Sequence, residues 1–410
     1  MFSVSILALS LTLVLVVLVR PIAINFGLVD QPCTRKRHDG VIPLIGGVVI
    51  YISLFVTSLV FPCWNVHNGL GMMFVALPVL LIGMADDRWS LSPRRRFLVE
   101  ILCCAMAAEY FGVRLDVLGE LWPGVNFSMG WMALPVTVFG LVGVINAFNM
   151  TDGVDGLAGG LAFLIFGSLA YIAYDANSDI ALQLMSIAVC LLGFLFFNSR
   201  FFGRAKAVIF MGDGGTLFVG FAIGWYLVLL SQGERAVIRP VSALWLFGVP
   251  LLDTISVMIR RIRRGQSPFH ADREHLHHIF LLAGFGVNRT VLIILAFQVI
   301  FTAFAIFGLR TGLPEWVSFW SFIALFACYY WCMSHAWKLM KRIRSFREWA
   351  TFEDRRHVDH VNSSGRRSGV DRRENHLKLA GADRRKIPDR REAEDRRMQE
   401  KMRIEAQKAA

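Results

Sequence analysis

The sequence predicts an all-α polytopic membrane protein with about eleven transmembrane helices. Its 410 residues are 55% hydrophobic, with a mean hydropathy of +0.52. This is more apolar surface than a soluble core of this size would hold. Apolar runs of membrane-spanning length recur along the chain, and four polar clusters lie beside them. Since an ionised side chain inside a bilayer costs about 2.5–3.5 kcal/mol, these clusters indicate a functional site at the membrane surface.

Each predicted transmembrane helix follows from the length of an apolar run, because about 17–25 residues are needed to cross the hydrocarbon core. The runs are residues 2–20, 43–61, 71–85, 97–112, 131–148, 157–174, 180–197, 214–231, 241–259, 291–309 and 316–337. The first run has neither a basic leader nor a small-residue cleavage site, so we expect a retained helix rather than a cleaved signal peptide.

The distribution of Lys and Arg between the loops predicts the orientation in the membrane. One alternate set of loops holds 17 basic residues, and the other holds only Arg114, Arg235, Arg239 and Arg310. Cytoplasmic loops carry the excess of basic residues, so the first set is predicted to be cytoplasmic. With an odd number of spans, the N-terminus is then periplasmic and the C-terminus cytoplasmic. All four polar clusters face the cytoplasm in this arrangement.

After Trp337 the composition changes from apolar to charged. Residues 338–410 contain 22 basic and 13 acidic residues, which is +9 of the formal net charge of +12. Asp-Arg-Arg elements begin at Asp354, Asp371, Asp383, Asp389 and Asp395. We predict a transmembrane domain at residues 1–340 and a charged, disordered cytoplasmic tail at 341–410 that is solvated or lies along the membrane. The interleaved acidic residues argue against a specific nucleic-acid partner.

Two groups of residues inside the apolar runs are predicted to be structural. The seven cysteines lack the spacing of a metal site and are interpreted as small hydrophobic residues. Glu100, Glu109 and Asp253 lie within predicted spans and are assigned to hydrogen bonds between helices.

The first polar cluster is the pair Asp86-Asp87, directly after the third span. Two adjacent carboxylates repel each other, so keeping both ionised at neutral pH requires a divalent metal or the arginines that follow. The structural alternative is a polar helix terminus flanked by cytoplasmic arginines. The presence of the other clusters favours a site.

The second cluster, NMTDGVDGLAGG, begins at Asn149. If Asp152 and Asp155 occupy one helical turn, they share a face. The glycines permit either close backbone approach to a ligand or tight helix packing in lipid. Packing alone explains the glycines but leaves the two carboxylates unexplained.

The third cluster closes a loop that starts at Asn198 and ends in Met-Gly-Asp-Gly-Gly around Asp213. A carboxylate between glycines suits Mg²⁺, which takes one or two carboxylates and keeps other positions for water and phosphate oxygens. A turn with a helix N-cap is the alternative for Asp213.

The fourth cluster places four histidines within residues 270–278 of one predicted cytoplasmic loop. His275, His277 and His278 are candidates to bind phosphate or metal. A structural zinc site is disfavoured, because no cysteine joins them and no HExxH pairing exists. Donors to a diphosphate fit better, beside the arginines at 260, 261, 263 and 264.

Together these motifs resemble the polyprenyl-phosphate N-acetylhexosamine-1-phosphate transferases, in particular the WecA-type branch that uses UDP-GlcNAc and undecaprenyl phosphate. The matching motifs are Asp-Gln-Pro at 30–32, Arg-Lys-Arg-His at 35–38, Pro43 with Gly46-Gly47, Asp86-Asp87, NMTDGVDGL, FMGDGG, and Asp272-Arg273 with His275-Leu276-His277-His278. The resemblance covers about residues 1–340 and stops at the tail.

The resemblance implies transfer of a sugar 1-phosphate from a UDP-sugar to undecaprenyl phosphate, with release of UMP and a requirement for Mg²⁺ or Mn²⁺. It implies a bacterial inner-membrane enzyme that initiates lipid-linked glycans such as O antigen. Asp213 and Asp87 are then expected to bind the metal, Asp86 and Asp87 to lie at the lipid phosphate, and the three histidines to act near the diphosphate. The expected substrate contacts are Asn149, Asp152, Asp155, Asn198, Arg273, Lys36 and His38.

Several alternatives stay open beside this interpretation. An enzyme that takes UDP-MurNAc-pentapeptide would share most of the acidic motifs, and other UDP-sugars fit the same branch. A transporter or lipid flippase would show repeated halves and charges in mid-membrane, whereas these clusters lie at the edges of spans. Direct displacement is favoured over a covalent aspartyl-phosphate, because positioning dominates phosphoryl transfer. The glycan pathway and the oligomeric state, including a homodimer, are left open.

Overall fold

The structure is a computed structural model that describes residues 2–30, 40–61, 64, 69–201, 203–233, 236–268 and 274–336. The chain divides into two units, Met1–Phe346 and Arg347–Ala410, and every described residue belongs to the first. The charged tail lies outside the described residues, so its boundary and its disorder stay predictions.

The described residues form thirteen α-helices and two short antiparallel hairpins. The helices are α1 (Phe2–Asn25), α2 (Gly46–Val60), α3 (Gly71–Trp89), α4 (Pro93–Tyr110), α5 (Ala133–Thr151), α6 (Leu157–Ala173), α7 (Ser178–Asn198), α8 (Gly212–Leu229), α9 (Pro240–Leu246), α10 (Gly248–Arg263), α11 (Leu276–Leu282), α12 (Val287–Thr311) and α13 (Glu315–Ala336). The strands are β1 (Val29–Asp30), β2 (Ile42–Pro43), β3 (Val117–Trp122) and β4 (Val125–Ser128).

An α-helical polytopic membrane protein is confirmed, and a helix or helix pair covers each of the eleven predicted runs. Within the described ranges, six helices are long and apolar enough to cross a membrane: α1, α5, α7, α8, α12 and α13. The count becomes seven if α9 and α10 form one broken span. α2 and α6 are apolar but shorter, and α3 and α4 carry charged residues at one end. Eleven crossings therefore remain a prediction.

α8 lies at the centre of the bundle. Nearly all of its residues are buried, as expected for a helix that is apolar on all sides. α2, α3 and α5 pack around it, and glycines let the backbones approach closely. A Cβ atom on Gly47 would lie 2.2 Å from the Cα of Gly215, so only glycine fits there. This close packing fixes the position of the polar N-terminal end of α8.

The ninth predicted span, residues 241–259, is not one continuous helix. α9 and α10 meet at Phe247 with a bend of 82°. Gln298 of α12 pairs backbone groups at the break: its Nε2 donates to the Leu246 carbonyl at 2.9 Å, and its Oε1 accepts from the Val249 N–H at 3.2 Å. A neighbouring helix thus satisfies the backbone that the break releases, which lets a bend persist among apolar helices.

The two hairpins lie at opposite ends of the bundle, and neither is among the predicted elements. β1 pairs with β2 after α1 ends, and Leu44 bridges to Phe210 just before α8 begins. β3 pairs with β4 before α5 begins, around a turn at Gly124 with φ of +74°. Glu315 tethers this second hairpin, since its Oε2 accepts from the Glu120 N–H at 3.1 Å.

Candidate active site

The described residues of the four polar clusters meet at the end of the bundle where α3 and α5 end and α8 begins. Three contacts join them directly. Asp87 of the first cluster accepts hydrogen bonds from the start of α8, and Asn149 of the second reaches Asp213 of the third. Gly153 of the second lies against the ring of His277 in the fourth. Residues far apart in sequence thus form one polar surface.

Asp87 binds the first turn of α8 with both carboxylate oxygens. Its Oδ1 accepts from the Asp213 N–H at 2.9 Å, and its Oδ2 accepts from the Gly214 N–H at 3.1 Å. These N–H groups have no partner inside their own helix, and a negative charge is favoured at a helix N-terminus. Gly83, one turn before Asp87, allows the approach, since a Cβ there would lie 2.5 Å from Gly214 Cα.

Asn149 connects the end of α5 to the start of α8. Its Nδ2 donates to Asp213 Oδ1 at 2.8 Å and to Thr216 Oγ1 at 2.6 Å. The Thr216 hydroxyl in turn reaches the Asp213 carbonyl at 3.2 Å. Asp213 is therefore held by its backbone through Asp87 and by its side chain through Asn149. The N-cap position of α8 is Met211, so Asp213 is a first-turn residue rather than the cap.

Asp152 and Asp155 do not occupy one helical turn, so the condition for a shared face is not met. α5 ends at Thr151, α6 begins only at Leu157, and Gly156 between them has φ of +85°. The two carboxylates therefore have different partners. Asp152 stays near Asp213, whose charge acts on it, whereas Asp155 accepts from Arg200 Nε at 2.7 Å.

Asp155 and Asn198 tie the α5–α6 loop to the α7–α8 loop. Besides Arg200, Asp155 Oδ2 accepts from the Ala207 N–H at 3.2 Å. The buried Asn198 accepts from the Gly156 N–H at 2.8 Å and donates to the Ile209 carbonyl at 3.0 Å. Backbone groups thus engage both ends of the Asn198 amide. In the structure these two residues shape the loops around Asp152 and Asp213.

The carboxylates around the start of α8 repel each other. Burial raises the pKa of Asp87 to about 7, and the charges of Asp213 and, to a smaller extent, Asp86 raise it further. The two backbone hydrogen bonds to Asp87 lower its pKa and offset only part of this increase. The surrounding protein desolvates the Asp152 carboxylate and raises its pKa to about 7, and the charges of Asp213 and Asp155 raise this pKa further. Asp152 is nevertheless an exposed residue. A bound cation would relieve this repulsion.

The donor set fits a hard divalent cation that is completed by substrate. Oxygen ligands from one or two carboxylates, with water and phosphate oxygens in the other positions, are the usual Mg²⁺ arrangement in phosphoryl-transfer sites. Asp87, Asp152 and Asp213 supply such oxygens. Within the described ranges, no group of three or more His, Cys, Asp or Glu side chains is arranged as a complete metal cage.

Asp86 points to the turn between α3 and α4 and is already paired. Its Oδ1 accepts from the Leu91 N–H at 2.7 Å, and its Oδ2 accepts from Arg96 Nη1 at 3.0 Å. The Arg96 Nε also lies 3.5 Å from Glu100. Asp86 and Asp87, although adjacent, thus contact different elements, and it is Asp87 that reaches Asp213.

The histidines are held next to the α5–α6 loop. His275 Nδ1 lies 2.9 Å from Asp253 Oδ2, and the rings of His275 and His277 are stacked with centroids 5.8 Å apart. A Cβ on Gly153 would lie 2.2 Å from His277 Nε2, so a larger residue there would displace this ring. Burial lowers the pKa of His277 to about 3, aided by the neighbouring His278, so this ring is neutral. Its buried Nε2 has no hydrogen-bond partner among the described residues.

Two arginines of the group at 260–264 donate to the backbone of the loop that carries the histidines. Arg260 Nη2 donates to the Glu274 carbonyl at 2.9 Å. Arg261 Nη1 donates to the Pro268 carbonyl at 2.5 Å. Both side chains are buried, and a buried charge needs hydrogen-bond partners such as these carbonyls. They brace the loop that carries the histidines.

Three predicted substrate contacts, Lys36, His38 and Arg273, lie outside the described residues. The same holds for His270 and Asp272. Their expected roles stay predictions.

Comparison with known proteins gives a family for this arrangement. A family model described as glycosyl transferase family 4 matches residues 69–231, which include Asp86, Asp87, Asp152 and Asp213. A Yersinia pestis protein named undecaprenyl-phosphate alpha-N-acetylglucosaminyl 1-phosphate transferase is 34% identical over 330 residues, or 80% of this chain and 90% of the relative. A protein of the same name from Haemophilus influenzae is 35% identical over 80% of this chain and 92% of the relative. The protein of that name from Escherichia coli K12 is 33% identical over 79% of this chain and 89% of the relative.

The chain belongs to the WecA-type family of polyprenyl-phosphate N-acetylhexosamine-1-phosphate transferases. It is therefore an enzyme of the sugar-1-phosphate transferase type and a multi-pass membrane protein. The similarity to this transferase family extends over the helices that carry all four polar clusters. It leaves no ground for the transporter alternative.

Several contacts that hold this polar surface together could not be foreseen from the sequence. Thr216 gave no signal beyond its position after Asp213. Asp253 was recognised as a carboxylate inside a span and does make an interhelical hydrogen bond, from Tyr329 at 2.9 Å, but its contact with His275 was not foreseen. Glu100 also follows the prediction, accepting from Asn146 at 2.6 Å.

Proposed function

We propose that this protein transfers N-acetylglucosamine 1-phosphate from UDP-GlcNAc to undecaprenyl phosphate, producing undecaprenyl-diphosphate-GlcNAc and UMP. The observation that carries the proposal is the set Asp87, Asn149 and Asp213 at the start of α8, beside the exposed Asp152. It combines oxygen ligands for a cation with a position at one end of membrane helices, where a lipid phosphate and a soluble nucleotide can meet. The names of the relatives support this donor and acceptor.

The reaction must overcome repulsion between two anions. An oxygen of the lipid phosphate forms a bond to the phosphorus attached to the sugar, the bond from that phosphorus to the bridging oxygen breaks, and UMP leaves with this oxygen. Because a phosphate monoester has its second pKa near 6, the acceptor is mostly dianionic at neutral pH. The protein's task is positioning and charge stabilisation, so we favour direct displacement over an aspartyl-phosphate intermediate.

Asp213 and Asp87 are the proposed metal ligands, and Mg²⁺ or Mn²⁺ bound there would neutralise the phosphate oxygens and the leaving UMP. Asp87 places its charge against Asp213 by binding the backbone of α8, and Asn149 orients the Asp213 side chain. We assign Asp152 and Asn149 to the nucleotide side, and Asp155 and Asn198 to shaping the loops that border it.

We further propose that His275, His277 and His278 lie at the donor diphosphate, as expected from the resemblance. The neutral, buried His277 would gain from the substrate the partner that its Nε2 lacks. Asp86, paired with Arg96, would orient rather than deprotonate the lipid phosphate. Lys36, His38 and Arg273 complete the proposed substrate contacts.

The finer membrane topology is part of the same proposal. Eleven crossings, with a periplasmic N-terminus and a cytoplasmic C-terminus, agree with the alternation of helix ends and with the excess of basic residues beside the polar clusters. The active site would then face the cytoplasm of the bacterial inner membrane, where UDP-sugars are made. The product would initiate a lipid-linked glycan such as O antigen.

The proposal is tested with purified protein, undecaprenyl phosphate, Mg²⁺ and a panel of UDP-sugars, scored for UMP and for labelled lipid. We expect UDP-GlcNAc to be the best donor. UDP-MurNAc-pentapeptide as the preferred donor would overturn the proposed substrate. No UMP with any donor would overturn the function.

A further inference from the structure

Asp253 is a buried carboxylate on α10 that lies between two other helices. Its side chain and that of His275 are each only 8% exposed. A charge at this depth is costly unless several donors compensate it. Its partners therefore indicate what the carboxylate is for.

Three donors converge on the two oxygens of Asp253. Oδ1 accepts from the Leu276 N–H at 3.0 Å and from the Tyr329 hydroxyl at 2.9 Å. Oδ2 lies 2.9 Å from His275 Nδ1. The carboxylate thus joins α10 to the first residue of α11 and to α13. Two of its three partners are His275 and the residue directly after it.

The other neighbour of His275 is held from the same helix. Two turns after Asp253, Arg260 donates to the carbonyl of Glu274 at 2.9 Å and to the Met333 carbonyl of α13 at 3.3 Å. α10 therefore fixes the backbone on both sides of His275, while Asp253 also fixes its ring. This is more restraint than a link between two helices requires.

We infer that Asp253 is a positioning residue for the transferase reaction, which fixes the tautomer and orientation of His275 with the help of Tyr329. A carboxylate only accepts hydrogen bonds, so Nδ1 of the His275 ring keeps its proton and Nε2 is the ring nitrogen left to face the substrate. The inference rests on the proposed function, in which His275 lies at the donor diphosphate. Asp253 itself acts through His275.

Asp253→Asn is a sharp perturbation, because it conserves shape and changes one atom. The amide oxygen keeps the two donors Leu276 and Tyr329, and the NH₂ group then faces His275 Nδ1. Nδ1 must accept, so the ring proton moves to Nε2. Loss of the carboxylate partner of a metal-bound histidine costs about 10–100-fold in activity, and we expect a loss of similar size for this carboxylate–histidine pair.

A double-mutant cycle tests whether this loss passes through His275. Turnover is measured for Asp253→Asn, His275→Ala and the double variant, with folding followed by thermal stability in detergent. We expect Asp253→Asn to cause no further loss in the His275→Ala background. If it lowers turnover there by the same factor as in the wild type, Asp253 does not act through His275 and the inference is wrong.

A second pair of variants covers the case in which Asp253→Asn does not fold. Tyr329→Phe removes one donor, with an expected loss of about 2–10-fold that again vanishes in His275→Ala. Tyr330→Phe is the matched control: this hydroxyl accepts from Arg263 at 2.9 Å on the exposed side, so turnover should not change. A Tyr329→Phe loss that persists without His275 would contradict the inference.

The tautomer gives a readout that is independent of turnover. In protein with ¹⁵N-labelled histidine, the His275 signals, assigned with His275→Gln, should report Nδ1–H in the wild type and Nε2–H in Asp253→Asn. An unchanged tautomer would overturn the inference. If the wild type releases no UMP with any UDP-sugar, the proposed function fails instead, and the tautomer measurement still tests the role of Asp253.

Discussion

Gly83→Ala should disable the enzyme by separating α3 from α8, although it adds only one methyl group. A Cβ at this position would lie 2.5 Å from Gly214 Cα, 2.6 Å from Gly214 N and 2.7 Å from the Asp213 carbonyl oxygen. All three atoms belong to the backbone, so no side-chain rotation relieves the contact. α3 or the start of α8 must move.

The size of the movement follows from these distances. Non-bonded carbon atoms rest about 3.5–4.0 Å apart, so the helices must separate by about 1 Å or more. The hydrogen bond from the Asp213 N–H to Asp87 Oδ1, now 2.9 Å long, would then be lost. A displacement of about 1 Å in a catalytic arrangement costs about 100-fold in rate. Overpacking also costs about 1–3 kcal/mol of stability.

The assay compares UMP release by Gly83→Ala with that of Gly143→Ala, in detergent and at saturating Mg²⁺. Gly143 lies in α5 with nothing within 4 Å of an added Cβ, so its replacement should keep full turnover and leave thermal stability equal or higher. We expect Gly83→Ala to lose about 100-fold while the control does not. Wild-type turnover in Gly83→Ala would show that the distance between Asp87 and Asp213 does not govern the chemistry.

The other predictions address the metal, the histidines and the tail. Asp213→Asn should abolish formation of the lipid-linked sugar at any practical Mg²⁺ concentration, and near-normal turnover of this variant would remove Asp213 from the metal site. EDTA should inactivate the wild type until Mg²⁺ or Mn²⁺ is restored. His277→Ala or His278→Ala should lower turnover sharply in folded protein, and inactivation by a zinc-selective chelator in excess Mg²⁺ would favour structural zinc instead. The pKa of His277 is about 3 in the folded protein and about 6.5 in the unfolded chain, so the unfolded chain binds an extra proton between these pH values. The free energy of unfolding should therefore decrease as the pH falls below 6.5, by about 2 kcal/mol at pH 5. His277→Gln should lose this part of the acid sensitivity in thermal melts, and an unchanged sensitivity would contradict the prediction. Truncation after Arg347 should keep activity in detergent, with any effect confined to salt-dependent association with anionic membranes; a folded but inactive truncated protein would place the tail in the active site.

Helix positions could be predicted from the sequence because each depends on a local property, the length of an apolar run. The same holds for the joint location of the polar clusters, since alternate loops of a helical bundle share one end. The contact of Asp87 with Asp213 and Gly214 confirms the proximity of two clusters that lie 126 residues apart. The sequence could not assign which carboxylate of the Asp86-Asp87 pair makes it.

What could not be predicted depends on partners from distant parts of the chain. The bend between α9 and α10 persists because Gln298 of α12 pairs the free backbone groups. Asp155 does not share a helical turn with Asp152, because α5 ends before it, and it pairs with Arg200 instead. Arg260 looks like a cytoplasmic phosphate ligand in sequence, but carbonyls at residues 274 and 333 are within its reach. Spacing along one chain contains none of this information.

The fate of the two phosphorus atoms of UDP-GlcNAc tests the central claim most directly. A sugar-1-phosphate transferase moves the phosphorus next to the sugar into the lipid, whereas an ordinary glycosyl transferase leaves it on the nucleotide. With UDP-GlcNAc labelled with ³²P at that phosphorus, undecaprenyl phosphate and Mg²⁺, we predict that the label appears in the lipid fraction and that UMP is the nucleotide released. Label remaining in UDP, with unlabelled sugar in the lipid, would contradict the proposed reaction.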